Sequence, residues 1–278
     1  MTDRYAVIGH PIAHSRSPEI HASFARETQQ PISYERVLAP LDGFVNTVDE
    51  FRKGGGCGAN VTLPFKIEAF QYASELTARA RQAGAVNTLR FDGTHILGDN
   101  TDGIGLCRDI VDNLKVPLAG ARILLLGAGG AARGVIGPLL AAAPQSIAIS
   151  NRTASKAEEV AALFESLGPV SAITAAELAT QRFDIVINAT SASLADSLPP
   201  VPATCFQPGA LAYEMLYGKG QTPFMSLATG AGARAADGLG MLVEQAAEAF
   251  LVWRGMRPAT AGVLAQLRAQ LRSQLPGA

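Results

Sequence analysis

The chain contains 278 residues, of which 48% are apolar, and it carries a formal net charge of −1. This length accommodates two domains of ordinary size, each with a packed core. The near-neutral charge predicts neither nucleic acid nor an anionic membrane as a partner. Since no apolar run approaches the ~20 residues of a membrane span and the N-terminus lacks a signal-peptide layout, we expect a cytoplasmic protein. The scattered cysteines Cys57, Cys107 and Cys205 fit neither a disulfide framework nor a zinc pattern, so we expect no metal site.

The first third of the chain alternates strand and helix signals. Ser17 and Pro18 predict a helix start, with Ser17 as the N-cap and proline at the first helical position. Asp92 and Gly93 predict a hairpin turn between two apolar runs. Together the patterns predict a mixed sheet with helices, the strands at 5–8, 32–38, 58–61, 85–91 and 95–97, and the helices at 17–28, 41–52, from 64 onward and at 73–82.

The remaining two thirds alternate strand and helix signals as well. A helix at about 104–114 leads into strands at 122–126, 146–150, 184–188 and 210–214, and helices follow at 241–253 and about 260–271. The fold class is therefore α/β in two α/β domains, the second a doubly wound sheet. The expected domains are 1–103, completed by 239–278, and 104–238, with the C-terminal helices packing back on the first domain.

A glycine-rich turn follows the strand predicted at 122–126. Gly127 allows the turn, Gly129 lets the backbone approach a pyrophosphate, and the following helix start offers free N–H groups and a positive dipole. Ala132 completes a G-x-G-x-x-A pattern, in which a small residue lets the helix and strand pack closely. The strand at 146–150 completes a βαβ unit of about the expected ~30 residues. The second domain is therefore predicted to be a Rossmann-type dinucleotide-binding domain.

The residues after the second strand indicate which dinucleotide binds. An NAD enzyme usually carries an acid here for the ribose 2′-hydroxyl, and this chain has none. Arg152 and Lys156 supply cations, and Thr153 and Ser155 supply hydroxyls, a set that favours the 2′-phosphate of NADP. In the alternative interpretation, the two cations are ordinary solvated charges at a helix start.

Three segments of the first domain are rich in polar residues where apolar strands end, at 60–66, 85–88 and 98–103. The carboxyl ends of strands are where ligands bind in α/β sheets, and such groups suit a small polyhydroxylated substrate. Reduction of a carbonyl also requires a proton at oxygen. Lys66 is the candidate acid–base group and Asp102 its partner, each such group contributing typically about 10²–10⁴-fold.

Each of these residues also has an ordinary structural interpretation. Lys66 fits a solvated charge at a helix start, Asp102 a turn residue before glycine, and Asn87 a strand-end cap. Ser15 and Ser17, which follow the first strand, fit helix caps. The combination with a dinucleotide site favours the catalytic interpretation.

The ordered set of motifs resembles the shikimate dehydrogenase family over essentially the whole chain. The resemblance implies the reversible, NADP-linked reduction of 3-dehydroshikimate to shikimate, a step toward aromatic amino acids. It makes the first domain the substrate-binding and catalytic one, and it leaves monomer and homodimer open. The motifs lie at 9–18, 58–66, 83–88, 98–103, 127–131, 151–153, 188–191 and 237–246.

The resemblance also implies individual roles. Lys66 would be the acid–base group, paired with Asp102, and would also bind the substrate. The substrate would be bound by Ser15, Ser17 and Tyr217 at its carboxylate, and by Thr62, Asn87, Asp102 and Gln245 at its ring hydroxyls. NADP would be bound by Gly127, Ala128, Gly129, Gly130 and Ala131 at the pyrophosphate, by Asn151, Arg152, Thr153 and Lys156 at the adenosine phosphate, and by Thr190, Met215 and Gly238 at the nicotinamide end.

The chain departs from the family pattern at three places. Ala78 stands where the family often has an acid, and Ala192-Ser193 stands where Ser-Gly or Thr-Gly is common. Glu214 stands where Asp is usual. Two other functions stay open: a quinate/shikimate dehydrogenase with broader substrate and cofactor use, and a non-catalytic nucleotide-binding regulator. Because the Ser15 hydroxyl would lie near the extra hydroxyl of quinate, we expect a preference for shikimate.

Overall fold

A computed structural model describes residues 2–274, which divide into two compact units. Unit 1 comprises residues 2–105 and 243–266, and unit 2 comprises residues 106–242 and 267–274. Both units are α/β, as predicted. Within the described residues, no helix has the length and apolar character needed to cross a membrane.

Unit 1 is built on a six-stranded mixed sheet. Its strands are Asp3–Gly9 (β1), Ile32–Leu38 (β2), Gly56–Val61 (β3), Glu75–Leu76 (β4), Thr88–Asp92 (β5) and His95–Asp99 (β6), in the order β2-β1-β3-β5-β6-β4. β1 pairs in parallel with β2 and β3, whereas β3, β5 and β6 pair antiparallel. The hairpin predicted around Asp92-Gly93 joins β5 and β6, and Gly93 takes the φ of +63° that the turn needs. The sheet is therefore mixed: β2, β1 and β3 pair in parallel, β3, β5 and β6 pair antiparallel, and the edge strand β4 pairs in parallel with β6.

The helices of unit 1 cover this sheet and enclose an apolar core. They are Ser17–Thr28 (α1), Phe44–Lys53 (α2), Lys66–Tyr72 (α3), Ala78–Ala83 (α4) and Asp102–Arg108 (α5), the last continuing as a π-helical turn at Asp109–Asn113 across the division between units. The predicted N-cap of α1 is wrong: Arg16 occupies the cap position and Ser17 is the first helical residue. α2 begins three residues later than predicted, at Phe44, because the Gly43 N–H closes a turn on the Pro40 carbonyl.

The helix predicted at 73–82 is also wrong in its first half. Glu75 and Leu76 form β4, which pairs in parallel with β6. The helix α4 starts only after Thr77, whose hydroxyl accepts a hydrogen bond from the Ala80 N–H and so caps it. Pairing with residues 22 positions further along the chain therefore overrides the local helical pattern.

Unit 2 contains a six-stranded parallel sheet. The strands are Arg122–Leu126 (β7), Ser146–Ser150 (β8), Val170–Ala172 (β9), Phe183–Asn188 (β10), Phe206–Glu214 (β11) and Arg234–Asp237 (β12), in the order β12-β11-β10-β7-β8-β9. This is the predicted doubly wound sheet, and its order reverses between β7 and β10. The two edge strands β9 and β12 were not predicted, because they are short and weakly apolar. The helices are Gly130–Ala141 (α6), Ala154–Phe164 (α7), Ala175–Leu178 (α8) and Pro223–Gly230 (α9).

The C-terminal helices are Leu239–Arg254 (α10) and Ala261–Gln274 (α11). From Val243 to Gln266 they belong to unit 1. Trp253 on α10 donates its indole N–H to the Leu89 carbonyl at 2.9 Å. A Cβ at Gly58 would lie 2.6 Å from the Trp253 Nε1, so this strand position needs glycine to let α10 pack on the sheet. This contact confirms that the chain returns to the N-terminal sheet.

His21 gives unit 1 a testable pH dependence. The side chain is fully buried, stacks on Tyr34 at 4.2 Å and lies against Trp253, and burial lowers its pKa from 6.5 to about 3. The imidazole therefore stays neutral in the folded chain while the unfolded chain protonates it below pH ~6.5. This group adds no pH dependence above pH ~6.5, and below it the folded state loses stability progressively until about pH 3.

We predict that the free energy of unfolding falls by up to about 1.4 kcal/mol per pH unit from this group alone as the pH drops below ~6. In His21→Phe, which keeps an aromatic ring in the cluster, that part of the slope should vanish. Urea titrations at several pH values would measure it, with His95→Gln at an exposed histidine as the control. Identical slopes in the His21 variant and the parent chain would contradict the prediction.

Candidate active site

The antiparallel half of the unit 1 sheet brings three separated segments to one edge. Asn60 near the end of β3 pairs with Thr88 at the start of β5, and Thr88 pairs with Asp99 at the end of β6. The end of β3, the start of β5 and the end of β6 therefore share one edge. The three polar segments identified in the sequence meet there, together with the start of α3, which carries Lys66.

Lys66 and Asp102 form an ion pair at this edge, with 2.6 Å between Nζ and Oδ2. The Asp102 side chain is 6% exposed and the Lys66 side chain 28% exposed. The carboxylate is therefore buried, whereas the Lys66 side chain is partly exposed. The second carboxylate oxygen, Oδ1, accepts a hydrogen bond from Asn87 Nδ2 at 2.8 Å. The pair that was predicted from chemistry alone is thus in contact.

Asn87 is the centre of a buried hydrogen-bond network. Its Oδ1 accepts from the Thr101 N–H and from the Thr88 hydroxyl, each at 2.9 Å. Its Nδ2 lies 2.8 Å from Asp102 Oδ1 and 3.0 Å from Gln245 Oε1 on α10. The orientation of the amide is fixed because its oxygen faces hydrogen-bond donors and its nitrogen faces hydrogen-bond acceptors. Asn87, Asp102 and Gln245, predicted to bind ring hydroxyls, therefore form one preorganised cluster with Lys66.

Two residues extend the network and were absent from the predicted site. Asn60 donates through Nδ2 to the Asn87 carbonyl at 3.2 Å, and the Tyr34 hydroxyl donates to Asn60 Oδ1 at 2.7 Å. Burial raises the pKa of the Tyr34 phenol well above its usual range, although a hydrogen bond with Ser17 acts in the opposite direction. Asn60 lies in one of the polar segments, so its position was a usable signal. No sequence feature distinguished Tyr34 from other strand residues.

Ser15, Ser17 and Thr62 lie after the parallel strands of unit 1. The Ser15 Oγ accepts from the Ser17 N–H at 3.3 Å, and the Arg36 guanidinium donates to the Ser15 carbonyl at 2.6 Å. Thr62 follows β3 and donates its N–H to the Ile8 carbonyl at 3.0 Å. Ser15, Ser17 and Thr62 thus follow strands of the same sheet that carries the Lys66 cluster. Ala78, where the family often has an acid, is exposed at the start of α4.

The glycine turn of unit 2 has the conformation that the sequence predicted. Gly127 takes a φ of +109°, and a Cβ there would lie 3.2 Å from the Ala189 carbonyl oxygen. Gly129 precedes the first residue of α6, and a Cβ on Gly129 or Gly130 would meet nothing within 4 Å. Ala131 is exposed and Ala128 half-buried. The first turn of α6 carries no acid, so its free N–H groups fit an approaching pyrophosphate.

The segment after β8 matches the requirements of a 2′-phosphate. Arg152, Thr153 and Lys156 are exposed, and Asn151 donates through Nδ2 to the Thr153 carbonyl at 2.9 Å. The first turn of α7 has no acidic residue that would repel a phosphate. These residues fit NADP better than NAD.

The residues predicted for the nicotinamide end follow β10, β11 and β12. Thr190 donates its hydroxyl to Asn188 Oδ1 at 2.7 Å, and the Met215 N–H donates to the Asn188 carbonyl at 3.1 Å. A Cβ at Gly238 would lie 2.2 Å from the Met215 carbonyl oxygen, so this position also needs glycine. Tyr217, predicted at the substrate carboxylate, is half-buried in the same unit. Among residues 2–274 no group of acidic, histidine or cysteine side chains is arranged to bind a metal ion.

Comparison with known proteins identifies the family. Residues 7–89 match the shikimate dehydrogenase substrate binding domain, residues 109–195 match shikimate / quinate 5-dehydrogenase, and residues 238–268 match the shikimate 5′-dehydrogenase C-terminal domain. The NADP(+)-dependent shikimate dehydrogenase of Dechloromonas aromatica is 60% identical over 272 residues, which cover 98% of this chain and 99% of the relative. The chain belongs to the shikimate dehydrogenase family.

Two solved structures share the fold of this chain. An Ael1 enzyme from Pseudomonas putida is 51% identical with a TM-score of 0.90, over 96% of this chain and 98% of that one. The shikimate 5-dehydrogenase of Thermus thermophilus, solved with NADP(H) and shikimate, is 32% identical with a TM-score of 0.85, over 96% and 99% of the two chains.

We predict that alanine at two glycines of the turn affects different properties, stability at Gly127 and NADP binding at Gly129. Gly127→Ala forces a side chain onto a left-handed backbone against the Ala189 carbonyl, and should lower the free energy of unfolding by about 1–3 kcal/mol. Gly129→Ala has room for its methyl group and should leave stability unchanged while weakening NADP binding severalfold, because the methyl group fills the space over the helix start. Thermal unfolding and NADP titration of both variants would test this. Equal loss of stability in the two variants would contradict it.

Proposed function

We propose that this chain catalyses the reversible, NADP-linked reduction of 3-dehydroshikimate to shikimate, in the biosynthesis of aromatic amino acids. The proposal rests mainly on one contact at the edge of the unit 1 sheet, where the Lys66 ammonium lies 2.6 Å from the buried Asp102 carboxylate. The 60% identical NADP(+)-dependent relative supports the cofactor and the substrate class.

The chemistry of the reduction assigns the roles of Lys66 and Asp102. Bound NADPH would supply the hydride for the substrate carbon. The carbonyl oxygen then needs a proton, and the ammonium of the partly exposed Lys66 side chain is the group that delivers it and removes it in the reverse direction. Asp102 holds the amine in place and accepts a hydrogen bond from a ring hydroxyl. Since Asn87 occupies one Asp102 oxygen, the carboxylate cannot rotate freely away from the amine.

The other polar residues of the site bind the substrate under this proposal. Ser15 and Ser17, with Tyr217, bind the carboxylate through their hydroxyls. Thr62, Asn87 and Gln245 bind the ring hydroxyls, supported by the fixed orientation of the Asn87 amide. Amide and hydroxyl groups offer both donors and acceptors, which a polyhydroxylated ring requires.

NADP is bound by unit 2 under this proposal. The backbone of residues 127–131 binds the pyrophosphate, supported by the open space over Gly129 and Gly130. Asn151, Thr153 and the exposed cations Arg152 and Lys156 surround the adenosine phosphate. Thr190, Met215 and Gly238 line the nicotinamide end.

The proposal also assigns the domains. Residues 1–103, completed by 239–278, are the substrate-binding and catalytic domain, and residues 104–238 are the NADP-binding domain. The division of the described residues near 105 and 243 supports this assignment, whereas residues 267–274 fall in unit 2 and not in the first domain. The net charge of −1 supports the absence of a nucleic-acid partner. Under the proposal the enzyme is cytoplasmic and acts as a monomer or homodimer.

A quinate/shikimate dehydrogenase is the second candidate, favoured by the description of the family matched by residues 109–195. Quinate carries an extra hydroxyl at the carbon that bears the carboxylate, and the Ser15 hydroxyl would meet it there. We therefore expect shikimate to be preferred. The intact Lys66–Asp102 pair argues against a regulator without activity.

Lys66→Ala should lower kcat by about 10²–10⁴-fold, because the proton donor is lost while the substrate-binding groups remain. The shikimate dissociation constant should change far less. Steady-state kinetics and equilibrium binding would separate the two effects, with the surface variant Lys53→Ala as the matched control. An unchanged kcat would remove Lys66 from the proposed role.

Arg152→Ala should weaken NADP much more than NAD, because only NADP carries the 2′-phosphate. Rates of the parent chain and the variant with shikimate and quinate, each with NADP and NAD, would test cofactor and substrate together. Arg182→Ala, at another exposed arginine of unit 2, is the control. Preferred turnover of quinate would favour the second candidate, and equal weakening of both cofactors would contradict the 2′-phosphate role.

A further inference from the structure

A buried carboxylate in unit 2 has no part in the roles assigned so far. Glu214 at the end of β11 is 0% exposed. Its Oε2 accepts hydrogen bonds from Ser193 Oγ at 2.5 Å, Asn188 Nδ2 at 2.9 Å and Thr222 Oγ1 at 3.2 Å, and its Oε1 accepts from the Leu216 N–H at 3.2 Å. All four donors are uncharged groups, so hydrogen bonds alone compensate the buried carboxylate.

Glu214 is connected through these donors to the segments assigned to the nicotinamide end. Asn188, which donates to Glu214, accepts from the hydroxyl of Thr190 at 2.7 Å and from its N–H at 3.1 Å. Leu216, which also donates to Glu214, accepts through its carbonyl from the Gly238 N–H at 3.1 Å. One carboxylate thus links the ends of β10, β11 and β12.

The segment that follows β10 also packs directly on the glycine turn. A Cβ at Gly127 would lie 3.2 Å from the Ala189 carbonyl oxygen and 3.3 Å from Thr190 Cγ2. The Ser193 side chain, itself 0% exposed, ties the far end of this segment to Glu214. A shift of residues 188–193 would therefore move the backbone next to the turn.

We propose that the Ser193–Glu214 hydrogen bond positions residues 188–193 against the Gly127 turn, and that Glu214 sets NADP affinity through Asn188 and Thr190. This rests on the NADP role proposed above and deepens it. Two of the departures from the family pattern, serine for glycine and glutamate for aspartate, meet in this one hydrogen bond. Because Glu is one methylene longer than Asp, its carboxylate reaches the Ser193 hydroxyl.

The test is a double-mutant cycle read out by ligand binding. NADP⁺ and shikimate dissociation constants are measured separately, together with thermal unfolding, for Ser193→Ala, Glu214→Asp and the double variant. Ser193→Ala should weaken NADP⁺ severalfold and Glu214→Asp about tenfold, because the shortened carboxylate leaves a buried hydroxyl without its acceptor. In the double variant that hydroxyl is gone, so its loss should be smaller than the product of the two single losses. Shikimate affinity should stay unchanged throughout.

Thr222→Val is the matched control. It removes a different donor from the same carboxylate oxygen and also the cap of α9, where the Thr222 hydroxyl accepts from the Met225 N–H. It should lower the unfolding temperature without weakening NADP⁺, since residues 188–193 keep both links to Glu214.

Three outcomes would overturn the proposal: unchanged NADP⁺ affinity in folded Ser193→Ala, multiplicative losses in the cycle, or equal weakening by Thr222→Val. If Glu214→Asp does not fold, the comparison of NADP⁺ affinity between Ser193→Ala and Thr222→Val tests the proposal by itself. Failure of the parent chain to bind NADP⁺ would instead contradict the proposed function, so the two failures are distinguishable.

Discussion

The position of the Lys66 ammonium depends on a buried amide that lies behind its carboxylate partner. Asp102 is almost fully buried, and a carboxylate in that position needs hydrogen-bond partners on both oxygens. Asn87 occupies one oxygen, and the amide cannot flip because its own oxygen accepts from the Thr101 N–H. The remaining oxygen is left for Lys66. Asn87 therefore fixes the direction of the Lys66 amine indirectly, through its hydrogen bond to Asp102.

The change from parallel to antiparallel pairing explains why these residues meet although they lie far apart in the chain. In a wholly parallel sheet, Asn87, which precedes β5, would lie at the amino ends of the strands, away from Asn60 near the carboxyl end of β3. Here β5 runs against β3, so Asn87, just before β5, lies beside the carboxyl end of β3. The short hairpin then returns β6 to the same edge, where Thr101 and Asp102 follow it. The reversed direction of β5 and the tight β5–β6 hairpin thus bring the three polar segments together at one end of the sheet.

Local signals predicted most of the fold because most elements here are specified locally. The strands of the βαβ unit, the Gly127 turn and the Asp92-Gly93 hairpin each carry their own pattern. Non-local pairing could not be predicted in the same way: β4 is two residues long and exists only because β6 lies beside it. The residues of the site likewise divide into those that the sequence could predict and those that it could not. Lys66 and Asp102 were predictable from chemistry, whereas Tyr34 contributes through a single hydroxyl on an ordinary strand, for which the sequence has no signal.

Both units contain a buried hydrogen bond between an asparagine amide and a carboxylate, but its role differs between them. In unit 1 an asparagine amide donates to the Asp102 carboxylate at 2.8 Å, and in unit 2 an asparagine amide donates to Glu214 at 2.9 Å. In both cases the amide oxygen accepts from the backbone or hydroxyl of a following threonine, which fixes the amide. The difference lies in the other carboxylate oxygen. That of Asp102 meets a partly exposed ammonium, which can exchange a proton with a ligand, whereas that of Glu214 meets the Leu216 N–H, which cannot. The first arrangement supports chemistry, and the second only holds the backbone in place.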